Sequence, residues 1–166
     1  MNESSARPRL IAHRGYSQCY PENTLVGLEA ALRAGAQYIE FDVHFTADSV
    51  PVVFHDSELA RVTGHEGIIQ ETSFAALNQL RASEPDRLGD AFLQEPVPSL
   101  QDVLSLLEQW PNATAFVEIK METIKYFGED HVVKVLLAAL EKFQTQCVLI
   151  SFDWGVLAHA RKAGMS

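Results

Sequence analysis

Apolar positions along the chain switch between two periods. In "YIEFDVHFT" (38–46), Ile39, Phe41, Val43 and Phe45 alternate with Glu40, Asp42 and His44, the period-two pattern of a strand with one polar face. "RLIAHRG" (9–15) is a short apolar run closed by glycine. "ATAFVEIK" (113–120) sets Val117 and Ile119 on one face and Glu118 and Lys120 on the other. "CVLISF" (147–152) predicts a fourth strand. Between these runs the spacing becomes helical. "PENTLVGLEAALRAGA" repeats Leu25, Leu28 and Leu32, with Asn23 or Thr24 able to cap its start and Gly35 its end. "PSLQDVLSLLEQW" carries the stripe Leu100, Val103, Leu104 and Leu107 behind an S-x-x-D capping signature, Ser99 and Asp102. "DHVVKVLLAALEKF" turns Val132, Val133, Leu136, Leu140 and Phe143 inward. "DWGVLAHARKAG" starts at a capping Asp153 and stops at Gly164.

Strands that alternate with helices of this length predict parallel βαβ units with right-handed connections. "ADS" after the second strand reads as a turn and "VPVVFHD" as an extended return. Residues 57–95 are less regular. They hold a short helix candidate, "SFAALNQL", and a polar stretch, "RASEPDRLGD", that reads as a loop or small insertion. A (β/α)8 barrel takes about 250 residues, whereas this chain has 166 and predicts four βα units. The pattern therefore fits a small open sheet or part of a barrel. Either leaves strand edges that need cover, so pairing into a homo-oligomer is an alternative expectation.

Composition narrows the function classes. Asp and Glu outnumber Lys and Arg, 22 to 13, for a net charge of −9. That argues against a nucleic-acid-binding surface, which is usually basic. It leaves a phosphate-bearing ligand open, because a bound divalent cation inverts the local charge. Cys19 and Cys147 stand far apart and form neither a disulfide framework nor a zinc motif. "MNESSARPRL" lacks an apolar leader core, and no apolar run approaches the roughly 20 residues of a membrane span. The expectation is a soluble, cytoplasmic protein.

In parallel α/β folds, sites form at the C-terminal strand ends. Strand one ends in His13-Arg14-Gly15. Strand two carries Glu40 and Asp42, and strand three carries Glu118 and Lys120. Three carboxylates packed together need positive charge among them. One reading is a divalent metal, with Mg²⁺ or Ca²⁺ suiting an all-oxygen set better than Zn²⁺. The other is an inward polar layer satisfied by Lys120, Arg14 and water. His13 and His55 end two extended runs near this place and are candidates for general acid and base. His44 shares the face of Glu40 and Asp42 and is read as a supporting hydrogen-bonding group. His65, His131 and His159 fall in loop or helix contexts and are read as surface residues.

"IAHRG", "PENT", "GAQYIEFDVHFTAD", "PVVFHD" followed by "LARVTG", "PVPSLQDVL" and "FVEIK" occur in this order. Together they resemble the glycerophosphodiester phosphodiesterase family over residues 10 to about 120, and Ser151-Phe152 extends the match to about 152. The resemblance implies a TIM-barrel fold, of which residues 1–166 would be the N-terminal part, with an insertion at about 56–95. It implies hydrolysis of a small-molecule glycerophosphodiester to glycerol 3-phosphate and an alcohol, or, as the alternative, of lysophospholipids or other phosphodiesters. It implies Mg²⁺ or Ca²⁺ on Glu40, Asp42 and Glu118. His13 and His55 would be the acid/base pair, Arg14 would contact the phosphate, and Lys120 would stand near metal and phosphate. One departure lies after strand two. There the family usually reads "KDG", and this chain has "ADS", with Ser49 where glycine is common.

Overall fold

The computed structural model describes residues 9–165. Residues 1–8, which hold most of the segment read as lacking an apolar leader core, lie outside the described residues. Four strands, β1 (Ile11–His13), β2 (Tyr38–Phe45), β4 (Thr114–Ile119) and β5 (Cys147–Ile150), run parallel in the order β1-β2-β4-β5. The return after the "ADS" turn is β3 (Pro51–Val53), which pairs antiparallel with the end of β2. The strand order follows the chain, with no reversal along the sheet.

The longer helices are α1 (Leu25–Arg33), α5 (Leu100–Leu107), α7 (Glu129–Leu140) and α8 (Trp154–Lys162). Thr24, not Asn23, caps α1 by accepting the Gly27 N–H. Ser99 and Asp102 close both halves of a capping box on α5, as the S-x-x-D spacing predicts. Asp153 caps α8. The apolar stripes of these helices pack on one face of the sheet. Leu28, Leu32, Val103, Leu104, Leu136 and Val156 meet Ile39, Phe41, Val43, Ala115, Val117 and Ile119 in one buried cluster. Each of these side chains except the small Ala115 contributes roughly 1.5–3 kcal/mol by leaving water.

Several boundaries differ from the sequence pattern. The first strand ends at His13, because Arg14 and Gly15 take positive φ. Gly15 has no alternative there, since a Cβ would lie 2.7 Å from the Gly27 carbonyl carbon. The fourth strand ends at Ile150 rather than Phe152. A helix that the periodicity did not mark, α6 (Met121–Phe127), follows β4 directly. α7 stops at Leu140, and a 3₁₀ turn carries the chain to Phe143.

The segment after β3 is more ordered than its sequence suggests. It holds the short helices α2 (Ala60–Thr63), α3 (Phe74–Leu77) and α4 (Pro85–Leu88), with 3₁₀ turns at Ile69–Glu71 and Gly89–Phe92. Val52, Phe54, Leu59, Val62, Ile69, Leu77, Ala82 and Val97 give it a small core of its own. Polar contacts tie it to the β1–α1 loop: Arg87 donates to the Ser17 and Tyr20 carbonyls, and the buried Glu84 accepts the Glu22 N–H.

At the "ADS" turn, Ser49 adopts φ 61°, so the left-handed backbone persists without glycine. A non-glycine residue there pays roughly 1–2 kcal/mol. Its hydroxyl is used, 3.0 Å from His131 Nε2. Among the described residues no strand pairs with the two lateral edges of the sheet. Leu10 and Ile11 beside β1 are 79% and 46% exposed, and Val148 on β5 is 39% exposed. Among the described residues no helix is long and apolar enough to cross a membrane.

Candidate active site

Register builds the site. In the parallel ladders His13 stands opposite Glu40, and Asp42 opposite Glu118. Parallel strands keep opposed side chains on the same face, so these four project together from the face that the helices leave uncovered. The carboxylates of Glu40, Asp42 and Glu118 offer oxygens that all lie within 4.8 Å of one another.

Cations surround this cluster without completing it. Lys120 Nζ lies 3.3 Å from Asp42 Oδ1 and 3.1 Å from Glu118 Oε1. Burial alone would lower the Lys120 pKa, but Asp42 and Glu118 outweigh it and raise it. Arg14 Nε lies 3.2 Å from Asp42 Oδ2, and its backbone N–H donates to Glu40 Oε2 at 3.1 Å. Asn23 grips Asp42 twice: its amide donates to Oδ2 at 2.9 Å, and its carbonyl oxygen accepts the Asp42 N–H at 3.2 Å. Among the described residues, Glu40 Oε1 is buried without a hydrogen-bond partner. Burial, then the charge of Asp42, pushes the Glu40 carboxyl up to about 7. The polar-layer reading is thus met for Asp42 and Glu118 but not for Glu40. A buried, orphaned carboxylate oxygen beside two others fits a hard cation with oxygen ligands.

The two histidines reach the same end of the sheet by different routes. His13 stands at the end of β1 with its side chain 65% exposed, 3.7 Å from Glu40 Oε2. His55 follows β3, and its Nδ1 lies 2.6 Å from Asp56 Oδ1. A carboxylate only accepts, so Nδ1 carries the proton and donates it to Asp56. His55, Asp56, Ser57, Glu58, Lys120 and Glu122 line a pocket of about 380 Å³.

Other residues enter that the sequence did not single out. Asp56 also accepts from Arg61 Nε at 2.6 Å, and Arg61 reaches Glu22, which meets Arg14. Burial would raise the Asp56 carboxyl, but hydrogen bonds from Arg61 and His55 win and bring it down to about 2. This chain of ion pairs joins His55 to Arg14. Glu22 and Asn23 stand in "PENT" and Arg61 in "LARVTG", so both motifs marked the place without disclosing the pairing.

His44 does not join the carboxylates, although strand alternation places it on their face. It lies deeper, at 0% exposure, among Thr123, Gln70 and the His55 carbonyl. Burial brings its imidazole down to about 4. His65 and His131 are exposed, and His159 is half-buried against Glu129.

The sequence model of the glycerophosphoryl diester phosphodiesterase family matches residues 13–165. The chain belongs to this family. A glycerophosphodiester phosphodiesterase of Bacillus altitudinis is 33% identical over 156 residues, covering 90% of this chain and 60% of the relative. Glycerophosphodiester phosphodiesterase 1 of Bos taurus is 35% identical over 119 residues, covering 72% and 36%. Among solved structures, a phosphodiesterase of Oleispira antarctica in complex with the product sn-glycerol-3-phosphate superposes with a TM-score of 0.81. It is 31% identical, and the match covers 95% of this chain and 62% of that one. The chain therefore spans about 60% or less of the length of these relatives, and it shares its fold with the Oleispira structure.

Proposed function

We propose that the chain carries the catalytic residues of a phosphodiesterase that hydrolyses glycerophosphodiesters to glycerol 3-phosphate and an alcohol. The observation that carries this reading is the meeting of Glu40, Asp42 and Glu118 with Lys120, Arg14 and His13 at one end of the sheet, with the pocket beside His55 adjoining through Lys120. The product bound in the Oleispira relative agrees with it.

Glu40, Asp42 and Glu118 would hold Mg²⁺ or Ca²⁺, and the orphaned Glu40 oxygen is the reason. Such an ion would neutralise the phosphoryl oxygens as charge builds on them. Arg14 and Lys120 supply fixed positive charge to the same oxygens. The attacking oxygen comes from water, or from the glycerol hydroxyl of the substrate, which would give a cyclic phosphate that water then opens to glycerol 3-phosphate. One histidine takes its proton, the other protonates the departing alkoxide, and the P–O bond to the alcohol breaks. Asp56 holds His55 by Nδ1 and leaves Nε2 for either task.

We further propose that the sheet is a sector of a (β/α)8 barrel. The sequential strand order and the open edges at β1 and β5 support this. Pairing of two copies is the second reading of the same edges, and the solution mass of the 166-residue chain decides it. A dilute, well-folded monomer would remove pairing. The cytoplasm is the proposed compartment, on the strength of two unbridged thiols.

The test of the activity is release of glycerol 3-phosphate from a panel of glycerophosphodiesters and lysophospholipids by an active, full-length form. His55→Ala is expected to lose at least about 10²-fold in kcat. Wild-type turnover by that variant would remove His55 from the mechanism.

A further inference from the structure

A buried node touches the His55 backbone and belongs to neither the carboxylates nor the ion-pair chain. Four segments meet at the ring of His44. β2 supplies the ring. The residue after Phe54 supplies a carbonyl, His55 O, 3.0 Å from Nε2. The 3₁₀ turn at Ile69–Glu71 supplies Gln70, whose Nε2 lies 3.0 Å from Nδ1. The first turn of α6 supplies the Thr123 hydroxyl, 2.8 Å from Nδ1. His44 and Thr123 are 0% exposed and Gln70 is 3% exposed.

The chemistry of the partners fixes the ring. A carbonyl oxygen has no proton to give, so His44 Nε2 carries the hydrogen and donates it. The Gln70 amide nitrogen can only donate, so Nδ1 carries no hydrogen. Nδ1 then presents a lone pair, which the Gln70 amide and the Thr123 hydroxyl approach as donors. One residue further back, the Phe54 N–H donates to the Asp42 carbonyl at 3.0 Å. Two consecutive residues of the return segment are therefore stitched to β2, once through its backbone and once through the His44 side chain. The same strand holds Glu40 and Asp42.

We propose that His44 is a positioning residue: through its Nε2–H it holds the His55 backbone in register with the carboxylate cluster, while Gln70 and Thr123 hold the ring. This rests on the assignment of His55 as an acid/base group. The node also ties the insertion and α6 to the distance between His55 and the phosphate. Misplacement of a reacting group by about 1 Å is enough to lower a rate about 10²-fold.

Isosteric variants separate this from a merely structural role. In His44→Gln the amide nitrogen falls near the Nε2 position and can still donate to the His55 carbonyl. In His44→Asn the shorter amide stays near the Nδ1 position and cannot reach it. We expect His44→Asn to lose about 10²-fold in kcat with KM nearly unchanged, and His44→Gln to recover most of that loss. Mn²⁺ affinity of the carboxylate cluster is expected to be the same in both variants. Equal kcat in the Gln and Asn variants, both folded, would overturn the proposal.

The 166-residue chain gives a readout that does not need turnover. Long-range proton–nitrogen correlation spectra are expected to show His44 as the Nε2–H tautomer, and the carbonyl carbon shift of His55 to move in His44→Asn but not in His44→Gln. An Nδ1–H tautomer, or an unmoved His55 carbonyl, overturns the proposal. If substitution at residue 44 prevents folding, Thr123→Val with Gln70→Met leaves the ring in place but unheld. That pair must then move the His55 carbonyl shift, and no movement overturns the proposal. His55→Ala with full activity would instead sink the mechanism above and leave these shifts intact.

Discussion

The two faces of β2 and β4 have the same backbone and opposite energetics. The helix-covered face presents Ile39, Phe41 and Val43 beside Ala115, Val117 and Ile119, all fully or almost fully buried. The other face presents Glu40, Asp42 and Glu118, of which Asp42 is as buried as any core residue at 0% exposure. The first face gains from leaving water. The second loses, and it is held by Lys120, Arg14 and Asn23. The sheet can carry a concentrated set of negative charges because its opposite face supplies the stability.

Removing apolar bulk tests this division most severely. Phe41→Ala empties a site at 0% exposure in the main core and is expected to destabilise by about 3–5 kcal/mol. Chemical denaturation checks the magnitude. A loss below about 1 kcal/mol would mean that the helix-covered face is not what supports the charged one.

The second prediction reverses the sign on the other face. Glu40 titrates near 7 when folded, against an ordinary value of 4.5. The folded state therefore binds this proton more tightly than the unfolded one. Its contribution is complete below about 4.5 and is lost as pH rises through 7. Glu40→Gln mimics the protonated form. Without divalent cation the variant should match wild type at pH 4.5 and exceed it at pH 8, by on the order of 2–3 kcal/mol. Saturating Mg²⁺ should stabilise wild type above pH 7 and have little effect on the variant. A pH-independent difference between the two proteins would contradict the burial argument. His44 acts oppositely: its depressed value removes stability as pH falls from 6.5 toward 4, and both proteins share that slope.

Much of this division was legible in the chain. Period two separated Glu40 and Asp42 from Ile39, Phe41 and Val43, and Glu118 from Val117 and Ile119. Helical spacing with a capping box gave the start of α5 at its Ser99 cap, and the helix ends at Leu107, short of Trp110. What escaped notice depends on contacts between distant residues or on very short elements. α6 buries only Thr123 and Ile124, too few positions to make a stripe. Of the four-residue helices after β3, "SFAALNQL" foreshadowed α3 alone, and α2 and α4 are too short for a period to reveal. Alternation placed His44 with the carboxylates, yet β3, Gln70 and Thr123 cover that end of β2 and bury the ring. The partners Asp56, Arg61 and Glu22 span up to 39 residues, which no local pattern records.

Asn23 offers the finest test of how the charged face is held. It sits at φ 56°, 2% exposed, with both ends of its amide on Asp42. Asn23→Gly and Asn23→Ala both delete these hydrogen bonds and leave a buried carboxylate short of donors, for a loss of about 1–3 kcal/mol. Only alanine must also carry a Cβ in the left-handed region, which costs roughly another 1 kcal/mol. The two variants should therefore differ by about that amount in denaturation, with glycine the more stable. Their Mn²⁺ affinities should be weakened alike, because the shared loss is the grip on Asp42 and not the backbone strain. If the alanine variant alone lost metal affinity, the φ of Asn23, and through it the whole "PENT" loop, would be what aims Asp42 at the cluster.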